Sequence, residues 1–184
     1  MQLHLLGLQP GDRVGLWAPN CAEWLLTQLA TARAGLVLVN VNPAYRRSEL
    51  EYALNKVGCT ALVLAPALKT SDYLAIVNDL APELATSTPG QLKAAALPQL
   101  RWVVRLQSAT TPAATPGMLN FDAIAGLATD ASRAQLAALG PTLRDTDAIN
   151  IQFTSGTTGH PKGATLTHRN ILNNGFFVGE AIRL

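Results

Sequence analysis

The stretch VGLWAPNCAEWLLTQLATARAGLVLVNVNPAYRRSELEYALNKVGCTALVLA, Val14 to Ala65, alternates short apolar runs with segments of helical period. Val14 to Ala18 is the first run and reads as a strand. It ends at Pro19-Asn20, where Asn20 is expected to cap a helix, with Glu23 completing a capping box three residues on. That helix carries Cys21, Leu25, Leu29 and Ala32 on one apolar stripe, expected to face the core. Gly35 falls where a helix ends in a left-handed residue. Leu36 to Val41 reads as the second strand, and Asn42-Pro43 as a turn. Ser48 and Glu51 make a second expected capping box, followed by Leu50, Leu54 and Val57 at helical spacing before Gly58. Thr60 to Ala65 is the third strand. Strands and amphipathic helices alternating at this pitch are right-handed βαβ units, so the fold class is α/β, a mostly parallel sheet flanked by helices.

Further along, the spacing predicts a helix over Asp72 to Leu80, stopped by Pro82, and a buried strand over Trp102 to Leu106. Gln107 to Asn120 is rich in Ser, Thr, Ala and Pro without an apolar period, and is expected to be an exposed loop. A helix over about Asp130 to Leu139 follows. Gly140-Pro141 and the polar Arg144 to Asp147 then lead into a strand from Ala148 to Phe153.

Composition bounds the function classes. Of 184 residues, 48% are hydrophobic and 14% charged, the balance of a chain that buries a core. The formal charge of +2 is scattered without a basic stripe or interleaved aromatics, which excludes a nucleic-acid surface. Cys21 and Cys59 have no metal-ligand or disulfide spacing and read as reduced, buried thiols in a cytoplasmic setting. The opening Met1 to Leu6 lacks the basic start of a signal peptide, and charged or turn residues interrupt every apolar run before it could span a bilayer.

The chemistry lies after the strand that ends at Phe153. Thr154-Ser155-Gly156-Thr157-Thr158-Gly159-His160-Pro161-Lys162-Gly163 packs four hydroxyls, three glycines and one lysine into ten positions. Glycines let backbone N–H groups approach an anion, and hydroxyls add donors. Lys162 offers a compact charge on a long stem, suited to a β- or γ-phosphate. A Walker loop needs Gly directly before its lysine and a hydroxyl directly after, and here those places hold Pro161 and Gly163. The serine-hydrolase elbow fails too, because Phe153 and Thr157 stand where its glycines belong. Ser155 is therefore a phosphate-donor candidate and not a nucleophile. Asp145, Asp147, Glu49 and Glu51 read as solvated or capping carboxylates, and Trp17, Trp24 and Trp102 as core. His168 and Asn170 read as anchors of a helix start.

This decapeptide, with Ile149 to Phe153 before it and Ala164 to Asn170 after it, closely resembles the signature of the adenylate-forming superfamily, which includes acyl-CoA synthetases. Leu8 to Val14, Ala18-Pro19-Asn20, Asn40 to Pro43 and Asn170 to Asn174 look most like fatty acyl-CoA synthetases of medium-chain type. The resemblance implies that Thr154, Ser155, Gly156, Thr157, Thr158, Gly159 and Lys162 surround the β- and γ-phosphates of ATP, while His160 falls at a variable place. It implies a fatty acid, ATP and coenzyme A as substrates, and Mg2+ beside the phosphates.

By the same resemblance the chain is expected to be a front portion of such an enzyme. Residues 1–147 would form an α/β subdomain, and 148–184 a strand, the phosphate loop and the start of an amphipathic helix, Asn170 to Leu184, without a C-cap signal. The adenine, ribose and C-terminal-domain segments of the family are not found. Two classes follow: part of an acyl-CoA ligase, or a non-catalytic remnant that at most binds nucleotide phosphate or a complementary chain.

Overall fold

The computed structural model describes residues 3–107, 115–154 and 161–183. In chain order, β1 (Arg13–Trp17) feeds α1 (Ala22–Arg33), β2 (Val37–Asn40), α2 (Arg47–Val57) and β3 (Cys59–Leu64). A small hairpin of β4 (Ala67–Leu68) and β5 (Ser71–Asp72) leads into α3 (Tyr73–Leu80), a 3-10 helix at Pro82–Thr86, β6 (Trp102–Arg105) and β7 (Leu119–Asn120). The short α4 (Ala123–Gly126), α5 (Asp130–Leu139), β8 (Ala148–Thr154), β9 (Lys162–Thr167) and α6 (His168–Ile182) complete it. Among the described residues, seven strands form one sheet in the order β7-β6-β3-β1-β2-β8-β9, parallel throughout except for the antiparallel pair β8–β9. The α/β expectation holds.

Topology follows from the three runs in Val14 to Ala65. β1 lies mid-sheet with β2 on one side and β3 on the other. Right-handed crossovers to opposite sides place α1 and α2 on opposite faces. Val14, Leu16 and Trp17 are at most 1% exposed, as a strand covered on both faces requires. Gly35 and Gly58 take left-handed φ of 67° and 63° at the ends of α1 and α2, as their positions predicted.

Four details depart from the sequence reading. First, α1 turns its other side inward. Thr27 and Thr31 are fully buried, while Leu25 and Leu29 are 54% and 59% exposed. The threonine hydroxyls donate to carbonyls of their own helix, Thr27 Oγ1 to Glu23 O at 2.7 Å and Thr31 Oγ1 to Thr27 O at 3.0 Å. With the hydroxyl satisfied, a threonine enters the core almost as a small apolar residue. Both sides of this helix are thus acceptable to a core, and periodicity could not choose between them.

Second, both expected capping boxes are displaced. Cys21, not Asn20, is the N-cap of α1 and makes no side-chain cap bond. At α2 the cap falls at Arg46, whose N–H donates to Glu49 Oε2 at 3.1 Å, two residues before the expected Ser48 and Glu51 pair. Backbone N–H groups of Glu49 itself and of Arg46 hold the Glu49 carboxyl below the usual carboxylate range. Glu51 instead pairs with Arg47 on the helix surface.

Third, the stretch expected as an exposed loop ends in structure. Of it, 108–114 lie outside the described residues, but Met118 is buried and Leu119–Asn120 add a parallel strand beside β6. The turn into it uses Gly117 at φ 68°, where a Cβ would stand 2.4 Å from the Leu84 carbonyl oxygen. Only glycine fits that backbone and that approach. Fourth, α6 is closed by Arg183 in a left-handed conformation, φ 55°, a cap that no glycine announces.

Both cysteines are free, but only Cys59 is buried, and Cys21 is partly exposed. Burial pushes the Cys59 thiol up to about 12 from its ordinary 9.0. A thiol whose pKa is raised by folding contributes stability that is whole below pH 9 and fades as pH climbs toward 12, because the unfolded thiol ionises first. Urea unfolding is therefore expected to show a decline in stability between pH 9 and pH 12 that is smaller in Cys59→Ala than in the parent chain. Equal pH slopes in the two proteins would contradict it.

Candidate functional site

The parallel strands β1, β2 and β8 end together along one edge of the sheet, and the candidate loop leaves from that edge. In open α/β sheets, ligands bind outside the carboxyl ends of the strands. β8 is parallel to β2, with Leu38, Val39 and Asn40 opposite Asn150, Ile151 and Gln152. It then turns back as β9, with Thr154 opposite Lys162 and Phe153 opposite Gly163. Of the expected phosphate-binding residues, Ser155, Gly156, Thr157, Thr158 and Gly159, like His160, lie outside the described residues. Thr154 and Lys162 are described, and the hairpin brings these two ends of the decapeptide face to face.

Directly opposed residues of an antiparallel pair project to the same side. Thr154 and Lys162 are both exposed there, and Thr154 Oγ1 donates to the Lys162 carbonyl over a long 3.4 Å. The Lys162 ammonium is thus free of the apolar interior. Residues Tyr52 and Pro161 meet at the loop's exit, the Tyr52 hydroxyl lying 3.4 Å from the Pro161 carbonyl oxygen.

Beside the loop's point of departure is a recess of about 360 Å³, lined by Ala18, Asn20, Trp24, Asn40, Val41, Asn42, Pro43, Gln152 and Phe153. Its walls carry amides and two aromatic rings but no formal charge. Asn40 and, behind it on β8, the 2%-exposed Asn150 each hold a buried side-chain oxygen without a hydrogen-bond partner. Trp24, read as core from the sequence, is partly buried against the core and also lines this wall. The signal was present in the positions of these residues: Ala18, Asn20, Val41 and Asn42 all lie within three residues of the ends of strands whose carboxyl edge is where ligands bind.

The rim of the recess is pinned from below. Trp17 is fully buried and stacked on Tyr73, ring centroids 3.7 Å apart and planes 13° from parallel. Its indole N–H donates to the Asn42 carbonyl at 3.1 Å, and the Tyr73 hydroxyl donates to the Pro43 carbonyl at 2.6 Å. Two aromatics therefore hold one turn.

After β9 the chain enters α6 through a reciprocal cap. Thr167 N–H donates to Asn170 Oδ1 at 2.9 Å, and Asn170 N–H donates to Thr167 Oγ1 at 3.2 Å. Asn170 is the anchor expected of it, and His168 opens the helix with its N–H on the Asp147 carbonyl at 3.3 Å. The carboxylates read as bland behave so: Asp147 accepts from Arg144 N–H at 2.7 Å, and Asp145 takes the Arg169 guanidinium at 2.5 and 2.8 Å. The Asp145–Arg169 pair is solvent-exposed and worth under about 1 kcal/mol, so it orients α6 more than it stabilises the fold.

Among the described residues no three His, Cys, Asp or Glu side chains gather as a metal site, and no helix is long and apolar enough to cross a membrane.

Comparison with known proteins adds sequence and fold relatives. The profile of the family described as AMP-binding enzyme matches residues 1–183. The mitochondrial medium-chain acyl-CoA ligase ACSF2 of Mus musculus is 48% identical over 180 residues, covering 97% of this chain. Its Danio rerio counterpart is 46% identical over 176 residues, covering 96%. This chain spans about 28% of the length of each of those relatives. Among solved structures, acetoacetyl-CoA synthetase from Streptomyces lividans superposes with a TM-score of 0.68 at 22% identity, over 94% of this chain and 24% of that one. The anthranilate CoA ligase AuaEII, solved with anthranoyl-AMP, gives 0.63 at 22% identity, over 91% of this chain and 27% of its own. At that identity the superpositions speak to the fold.

Proposed function

We propose, from the premise that this chain belongs to the family of AMP-binding enzymes, that it supplies the ATP-phosphate-binding portion of an acyl-CoA ligase. In the reaction so assigned, a fatty-acid carboxylate oxygen attacks the α-phosphorus of ATP and the bond to the β-phosphate oxygen breaks. Pyrophosphate leaves, and the thiol of coenzyme A then displaces AMP from the acyl-adenylate. The observation that carries this reading is the exposed Lys162 paired across from Thr154 at the carboxyl edge of a parallel sheet. A cation at that edge is suited to the charge that grows on a departing pyrophosphate, and preorganised charge of this kind lowers a barrier most where charge develops.

Within this reading Thr154, Ser155, Gly156, Thr157, Thr158 and Gly159 donate hydroxyl and backbone N–H groups to the β- and γ-phosphates, and Lys162 adds its ammonium. Ser155 takes no nucleophilic part. Magnesium is read as sharing with Lys162 the neutralisation of charge on the phosphates of ATP. The division into an α/β unit over 1–147 and a loop-bearing unit over 148–184 is likewise ours, as is a medium-chain acyl substrate, which the relatives' names suggest. Their names also carry "mitochondrial", which stands as the alternative to the cytoplasmic setting inferred from free thiols.

Because the relatives extend far beyond the matched segment, the chain by itself is expected to form no acyl-CoA from ATP, magnesium, octanoate and coenzyme A. Substituted for the matching segment of the mouse ligase, it is expected to support octanoate-dependent exchange of pyrophosphate into ATP. A folded chimera without exchange would refute the ligase reading, and turnover by the isolated chain would refute its dependence on the remainder.

A further inference from the structure

Helix α2 lies against the exit of the decapeptide, and the contact is polar as well as apolar. The Tyr52 hydroxyl reaches the Pro161 carbonyl oxygen, 109 residues away in the chain, at 3.4 Å. Two residues on, β9 passes so close to its neighbours that a Cβ at Gly163 would sit 3.1 Å from Ile151 Cγ2 and 3.9 Å from Val57 Cγ1. α2 is itself held at its far end, where Arg13 Nε donates to the Val57 carbonyl and Arg13 Nη2 to the Gly58 carbonyl, both at 2.7 Å. Its seating is completed by Leu50, Ala53 and Leu54, each at most 2% exposed. The helix is thus a fixed support, and Tyr52 is its polar contact with the segment that carries Lys162.

We infer that Tyr52 is a positioning residue for Lys162: by bonding the Pro161 carbonyl it sets the direction in which the next residue leaves the loop and presents its ammonium. The inference rests on the phosphate-binding reading of Lys162. A lysine stem has four rotatable carbons, so its reach alone does not orient the charge, and a fixed backbone just before it removes part of the conformational entropy lost on binding. In this inference the Tyr52 hydroxyl acts through the Pro161 main-chain carbonyl.

The test is Tyr52→Phe, which keeps the ring and removes the hydroxyl, with Lys162→Ala beside it, in the 184-residue chain. Binding of inorganic tripolyphosphate is measured by calorimetry, and hydrogen exchange is followed in the peptide spanning 154–163. Tyr52→Phe is expected to raise the tripolyphosphate dissociation constant two- to fivefold and to speed exchange in that peptide, with a melting temperature within about 2 °C of the parent. A purely structural tyrosine would lower the melting temperature and leave affinity alone, and that result overturns the inference. If Lys162→Ala weakens binding but Tyr52→Phe does not, the inference falls while the phosphate reading stands. If Lys162→Ala binds as the parent does, the phosphate reading falls. Unchanged exchange in the 154–163 peptide of Tyr52→Phe overturns the positioning role whether or not tripolyphosphate binds.

Discussion

Replacing Lys162 by alanine is expected to slow octanoate-dependent exchange of pyrophosphate into ATP by about a hundredfold or more in the chimera with the mouse ligase, with little change in folding. Removing one preorganised donor to developing charge costs on the order of 3 kcal/mol in well-studied active sites, and under the proposed phosphate-binding role the Lys162 ammonium belongs to that class. Lys162 is exposed on an edge strand, and the described residues show no ion pair for it. Its loss therefore leaves no orphaned charge and no cavity. Circular dichroism and melting temperature of the variant should match the parent, which separates a lost function from a lost fold. Exchange within twofold of the parent would remove Lys162 from the reaction.

The largest stability effect is expected at Trp17→Ala. The side chain is fully buried between β1 and α3, stacked on Tyr73 and bonded to the Asn42 carbonyl. Truncating a buried tryptophan typically costs about 3–5 kcal/mol, and the unpaired carbonyl and unstacked tyrosine add to it. That is a large share of the roughly 5–15 kcal/mol that separates folded from unfolded domains. Urea denaturation should show a midpoint shift of that size. A Tyr73→Phe variant, which loses only the bond to the Pro43 carbonyl, is expected to cost about 1 kcal/mol. A Trp17→Ala midpoint within experimental error of the parent would show that the aromatic pair does not hold the Asn42-Pro43 turn.

Much of this was legible in the chain. Val14 to Ala65 shows its βαβαβ order because fully buried strands are short unbroken apolar runs, and because glycines at 35 and 58 stand where only a left-handed residue ends the helix. The family was legible too, from four hydroxyls, three glycines and a lysine in ten positions. Harder to read were features set by competition between similar local options. α1 has threonines on one side and leucines on the other, and whichever faces the sheet depends on how the hydroxyls are satisfied. Caps at Asn20 and Ser48 were equally good locally, yet the helices began where their strands delivered them.

By itself, then, the sequence determined the α/β class, the strand that precedes the loop and the family to which the chain belongs, since these depend on residue types at short spacing. Tertiary structure alone decided which strands are neighbours, that β9 folds back to set Lys162 across from Thr154, and that Tyr52 meets Pro161. It also decided that Asn20, Trp24, Asn40 and Gln152 share one recess. Apart from the hairpin pair Thr154–Lys162, these juxtapositions bring together elements dozens to more than a hundred positions apart in the chain. Local preference carries no information at that range, and only the packing of the whole sheet and its helices selects among the possible pairings.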